Sequence, residues 1–116
     1  MKRILALFQL LLLFLFVQAQ NPCPQVIPAL QQWKGGKGTL QLPAQGNIVI
    51  HPSDEEALST TASILTNDLK ELFGWEYTVH IGKPKAKDIY LSLTKADEQL
   101  GEEGYVLAIN HQVKLE

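Results

Sequence analysis

One amphipathic segment constrains this 116-residue chain more than any other feature: from Ser53 to Gly74 apolar residues recur at helical steps, while the segments around it alternate every second residue. Leu58, Thr61, Ala62, Leu65, Leu69, Leu72 and Phe73 fall three and four positions apart, so one stripe of a helix faces a core. Ser53 is placed to cap the start, and Glu56 to reach back to the Ser53 amide in a capping box. Asp54, Glu55 and Glu56 add negative charge at the positive end of the helix dipole. Gly74 ends the segment with a residue that tolerates the left-handed cap conformation. The helix is expected from about Asp54 to Phe73.

After it, Tyr77, Val79 and Ile81 alternate with Thr78 and His80, giving a strand with one buried face. Gly82 to Lys87 is a basic turn, and Ile89, Leu91 and Leu93 alternate with Tyr90 and Ser92. Tyr105, Leu107 and Ile109 repeat the pattern, and Val113 and Leu115 follow a turn at Asn110-His111. Ahead of the helix, Thr39 to Leu42 and Asn47 to Ile50 are short β-type runs joined by Pro43-Ala44-Gln45-Gly46, which predicts a hairpin. The expected class is α+β, a long helix packed on one face of a mixed, mostly antiparallel sheet. The last strand runs into Glu116 without a stop signal, so the domain is expected to be incomplete at that end.

The N-terminus reads as an address. Met1-Lys2-Arg3 is a short positive region, Ile4 to Val17 is an apolar run broken only by Gln9, and Val17-Gln18-Ala19 suits cleavage before Gln20. A run of 14 residues spans roughly 21 Å as a helix, short of a hydrocarbon core of about 30 Å, so a stable membrane anchor is not expected. Residues 1–19 are thus a signal peptide, 20–38 an irregular leader with three prolines and three glycines from Asn21 to Gly38, and 39–116 the folded domain. Val26-Ile27-Pro28 and Leu30 with Trp33 have the look of a segment laid across a surface. The expected destination is the periplasm or the exterior. Cys23, the one cysteine, has no disulfide partner within the chain.

Charge and composition exclude several functions. Once the signal peptide is removed, 8 basic and 12 acidic residues remain with no basic block, which offers no footprint for nucleic acid. The chain is also too short for a TIM barrel or a complete dinucleotide-binding fold. His51, His80 and His111 lie 29 and 31 residues apart, a spacing that matches no local metal pattern. Gly35-Gly36-Lys37-Gly38-Thr39 lacks the glycine spacing of a phosphate loop and precedes a strand. Glu102 and Glu103 would point to opposite faces of a strand entrance, which is wrong for a pair of glycosidase carboxylates. Lys83, Lys85 and Lys87 read as a soluble hairpin edge, and Trp33, Trp75 and Tyr77 have the aromatic faces of a sugar-stacking platform, against which burial of Trp75 at the helix end is the favoured reading. No catalytic, substrate-binding or metal residue and no cofactor is assigned on these grounds.

The order of features is more specific than any one of them. Val26-Ile27-Pro28, Trp33 with Gly38 before a β run, a long helix ending at Leu72-Phe73-Gly74, Asp88-Ile89-Tyr90-Leu91, and Gly101-Glu102-Glu103-Gly104-Tyr105-Val106-Leu107 together resemble the N-terminal accessory domain of family 20 glycoside hydrolases, the β-N-acetylhexosaminidases. The resemblance covers roughly Val26 to Glu116, and Glu103-Gly104-Tyr105 leading into a strand is its most telling element. Ser53, Glu56 and Gly74 at the helix ends, with Glu103, Gly104 and Tyr105 from the resemblance, are the expected structural positions, and the resemblance implies a catalytic TIM barrel of the same polypeptide as partner. That barrel would act on glycans with an Asp-Glu pair, the substrate's own 2-acetamido oxygen attacking the anomeric carbon with retention of configuration. Both carboxylates would lie beyond Glu116, so no catalytic residue carries over to this chain. The alternatives are a free-standing exported module that binds a carbohydrate or a protein, and the accessory domain of another glycosidase family.

Overall fold

The computed structural model of the protein describes Met1, residues 19–93 and residues 99–116. The expected signal peptide falls almost wholly on residues 2–18 and lies outside the described residues. Two compact units divide the chain, Met1–Thr39 and Leu40–Glu116.

The first unit has no helix or strand among its described residues. Its backbone instead closes a loop on Asn21. The Asn21 amide donates to the Gly36 carbonyl at 2.8 Å and its side-chain Nδ2 donates to the Gly38 carbonyl at 2.7 Å, while Trp33 Nε1 donates to the Asn21 carbonyl at 3.3 Å. The Ile27-Pro28 peptide is cis, and Ile27 is fully exposed.

The second unit contains β1 (Gln45–Ile50), a 3-10 turn (Pro52–Asp54), α1 (Glu55–Phe73), β2 (Glu76–Ile81), β3 (Ile89–Leu91), β4 (Leu107–Ile109) and β5 (Val113–Leu115). The strands form one sheet in the order β2-β1-β3-β5-β4. Because side chains alternate along a strand, the register converts the sequence pattern into rows across the sheet. One row runs Ile81, Ile50, Leu91, Leu115, Leu107, and the next runs Val79, Ile48, Ile89, Val113, Ile109. These ten apolar side chains share one face. Leu58, Ala62, Leu65 and Leu69 of α1 pack onto it, with Ile48, Ile50 and Ala62 sealed from solvent.

The cover is uneven. A helix about 10 Å wide spans two or three strands, whereas five strands extend roughly 19 Å from first to last. Helix α1 packs mainly on β2 and β1. At the other side of the same face Leu107 is 53% and Ile109 60% exposed.

A long helix on one face of a mixed sheet is the expected architecture, but the balance of pairings differs from expectation. The pairs β1–β2, β1–β3 and β3–β5 are parallel, and only β4–β5 is antiparallel. The predicted hairpin before the helix does not form, because Thr39 to Leu42 is not a strand and Gln45 and Gly46 belong to β1. The Ala44 carbonyl accepts the Glu76 amide at 2.8 Å, so backbone of the supposed turn is committed to β2. Burial on both faces is the physical reason for the parallel core: Val49 and Tyr90 point away from α1 and are still only 4% and 9% exposed. A β1–α1–β2 crossover unit results.

The helix ends also depart in part from expectation. Asp54 is the N-cap and makes no side-chain cap bond, while Ser53 sits inside the 3-10 turn that Pro52 opens. The Ser53 amide, which the capping box would give to Glu56, donates to His51 Nδ1 at 3.3 Å instead. At the other end Gly74 takes φ 70°, its amide donates to the Lys70 carbonyl at 2.9 Å, and the Trp75 amide donates to Leu69 at 3.3 Å. Thr61, Leu72 and Phe73 of the expected stripe are exposed, so the buried stripe is narrower than the periodicity suggested.

Candidate functional site

Polar side chains gather where β1 and β3 end, the side of a parallel sheet at which loops and a helix N-terminus converge. Asp54 is the centre. Its Oδ2 accepts the Leu93 amide at 2.9 Å and the Ser92 hydroxyl at 3.4 Å, and its Oδ1 accepts the Ser53 hydroxyl at 3.0 Å. His51 Nδ1 stands 3.7 Å from the carboxylate. The Leu93 amide chiefly holds the Asp54 carboxyl below its ordinary pKa, with Ser53, His51 and Ser92 acting the same way and burial opposing them.

Serine, histidine and aspartate together suggest hydrolytic chemistry, yet the connectivity is wrong for it. In a relay the two imidazole nitrogens serve different partners, one orienting carboxylate and one nucleophile. Here Nδ1 meets the Ser53 hydroxyl at 2.7 Å, the Ser53 amide and the Asp54 carboxylate, so all three converge on a single nitrogen. The hydroxyl has one proton, and Asp54 Oδ1 competes for it. The cluster clasps the start of α1 to the exit of β3.

A second knot forms around Asp88, which is 6% exposed. Its Oδ1 accepts Asn47 Nδ2 at 3.1 Å and its Oδ2 accepts the Lys85 amide at 2.7 Å. The Lys87 amide donates to the His111 carbonyl and the Val113 amide to the Asp88 carbonyl, so the lysine loop is tied to β1 and β5 together. The loop is not a hairpin edge: β2 and β3 flank β1 on opposite sides, and residues 82–88 connect strands that are not neighbours. Sequence reading missed Asn47, Asp54 and Asp88 as a group. An aspartate three residues after Lys85 and next to an apolar strand is the signal of a side chain bonding back into a turn.

The other residues considered from sequence do not converge. His51 is half-buried at the end of β1, His80 is exposed on β2, and His111 is exposed in the turn before β5. Among the described residues no three of His, Cys, Asp or Glu form a group able to hold a metal ion. Glu102 and Glu103 are exposed in a turn that the Gly104 amide closes on the Gly101 carbonyl at 3.0 Å. Tyr105 is 55% exposed and precedes β4, with Val106 and Glu116 exchanging two backbone bonds beside it. Trp75 stacks on Tyr77 at 6.3 Å, but Tyr77 is buried, so its ring is closed to a sugar. Among the described residues no helix is long and apolar enough to cross a membrane.

On the second face of the sheet, His80, Val49, Tyr90, Lys114 and Ala108 form the row between the two apolar ones. Lys114 Nζ lies 6.0 Å from the Tyr90 ring centroid and 2.7 Å from Glu116 Oε1. Burial raises the Tyr90 phenol above its usual pKa, Lys114 pulls against that, and Glu116 and Asp54 add to it.

The described residues form a crossover unit extended by a hairpin, in which Asp54 and Asp88 fasten loops and one apolar face is half covered. The model of glycosyl hydrolase family 20, domain 2, matches residues 23–116, and the chain belongs to that family as its accessory domain. Domain 2 normally accompanies the catalytic domain. No curated protein matches the chain.

Proposed function

We propose that this chain is the accessory domain of an exported β-N-acetylhexosaminidase, packing on and stabilising a catalytic TIM barrel of the same polypeptide. The barrel removes terminal N-acetylhexosamine from glycans by retaining, substrate-assisted hydrolysis, and its Asp-Glu pair lies outside these 116 residues. The family match over residues 23–116 carries this reading. Support also comes from the uncovered end of the apolar face at Leu107 and Ile109, an area suited to covering by further protein. Export rests on the Lys2-Arg3 region, the apolar run and the Val17-Gln18-Ala19 site.

Reading the coding sequence past Glu116 and assaying the encoded protein test the proposal together. The expected result is an open frame encoding a barrel with an adjacent Asp-Glu, a product that hydrolyses an aryl N-acetylglucosaminide, and a mature N-terminus at Gln20. Deleting residues 23–116 is expected to lower the melting temperature of that enzyme. Hydrolysis by the 116-residue chain alone overturns the reading, and a stop codon directly after Glu116 replaces it with a free-standing exported module.

A further inference from the structure

Strand β2 occupies one end of the sheet order and pairs with β1 alone among the described residues. It is six residues long and carries no proline, lysine or bulge, the devices that usually blunt a sheet edge. The Glu76 amide donates to Ala44 and the Gly82 amide to Ile50, which points the even-numbered backbone groups at β1. The amide and carbonyl groups of Tyr77, Val79 and Ile81 therefore face the open edge.

We propose that this edge pairs with the same edge of a second copy of the chain, antiparallel and centred on Thr78, joining two sheets into one of ten strands. The side chains select that register. With Thr78 opposite Thr78 of the partner, Glu76 stands opposite the partner's His80 at both ends, so each carboxylate meets an imidazole N–H. On the helix-side face Tyr77 meets the partner's Val79 and Trp75 meets the partner's Ile81, apolar against apolar. The backbone phase agrees: Tyr77 and Val79 face outward and become the hydrogen-bonded pairs, and Glu76, Thr78 and His80 become the close non-hydrogen-bonded pairs. A shift of two residues either way loses both Glu-His pairs. Glu76, Thr78, His80 and Ile81 are all exposed in the single chain. The contact is self-complementary and closes as a two-fold dimer.

Sedimentation equilibrium of the purified chain, with Cys23→Ser as background, reads the association. The expected result is a dimer that His80→Glu dissociates while the far-UV circular dichroism of the chain stays unchanged, since it sets carboxylate against carboxylate. The melting temperature is expected to rise with concentration in the wild type and not in that variant. Glu76→Lys combined with His80→Glu sets an ammonium against a carboxylate in each pair and is expected to restore the dimer. Cross-linking reads the register. Thr78→Cys is expected to oxidise to a covalent dimer, because facing Cα atoms in such pairs stand about 4.5 Å apart. His80→Cys is expected not to, because the two copies of that position lie roughly 13 Å apart along the strands. A wild-type monomer at every concentration overturns the proposal, as does a dimer that His80→Glu leaves intact or that Thr78→Cys fails to link.

Discussion

Gly46 lies opposite Tyr77 in the β1–β2 register, so close that a Cβ on Gly46 would stand 2.7 Å from the ring's Cε1 and 2.8 Å from Cζ. The ring is buried across the glycine and its hydroxyl donates to the Pro43 carbonyl at 2.8 Å. Gly46→Ala is expected to cost about 1–3 kcal/mol through overpacking, measured by denaturant unfolding. Tyr77→Phe, which keeps the ring and loses the hydrogen bond, is expected to cost about 1 kcal/mol. Equal stability of Gly46→Ala and wild type would show that the ring has room to turn away.

Asp54 gives the fold an acid-sensitive fastening. Its folded pKa lies below the unfolded one, so its contribution is present above the unfolded value and is lost as pH falls through the folded value. Melting temperatures taken between roughly pH 2 and 6 are expected to fall on the acid side for wild type and more shallowly for Asp54→Asn. The two curves converge at the acid end. Parallel curves would mean that the carboxylate contributes nothing through its charge.

The apolar rows predict a gradient of sensitivity across one sheet face. Ile50→Ala, at a site with no solvent exposure, is expected to cost about 2–5 kcal/mol. Ile109→Ala, on the same face at 60% exposure, is expected to change the stability of this chain by no more than about 0.5 kcal/mol. In an enzyme whose barrel or further segment covers that area, Ile109→Ala becomes costly. Comparing the variant in the two settings maps the covered surface.

Asp88 holds two donors from different segments, Asn47 Nδ2 and the Lys85 amide. Asp88→Ala strands both in a poorly solvated place and is expected to cost about 1–3 kcal/mol. Amide exchange at Lys85 and Lys87 is expected to accelerate before global unfolding does.

Much of this fold is legible in the sequence because helix and strand periods are visible without knowledge of partners. The Leu58, Ala62, Leu65, Leu69 stripe, the glycine stop at Gly74 and the alternations at Tyr77–Ile81 and Val113–Leu115 needed only local spacing. Strand direction is not local. Pro43-Ala44-Gln45-Gly46 has hairpin chemistry, yet Gly46 serves as floor for a ring 31 positions away, a demand that no window around it contains. The same holds for Asp54, whose main partner is the Leu93 amide 39 positions on. Short-range logic favoured Ser53 and Glu56 for a role that His51 had already taken. The two carboxylate knots, around Asp54 and Asp88, were not legible, because their partners come from distant segments.

Strand β3 joins two pieces that each close locally, the β1–α1–β2 unit and the β4–β5 hairpin. Its ladders on both sides are only three residue pairs long: Ile89, Tyr90 and Leu91 against β1, and the same three against β5. A lone two-stranded hairpin is marginal in water, so the hairpin borrows its persistence through those residues. Cooperativity of the whole unit thus passes through a three-residue seam, and the lifetime of residues 107–115 in their native pairing has the opening of that seam as its ceiling.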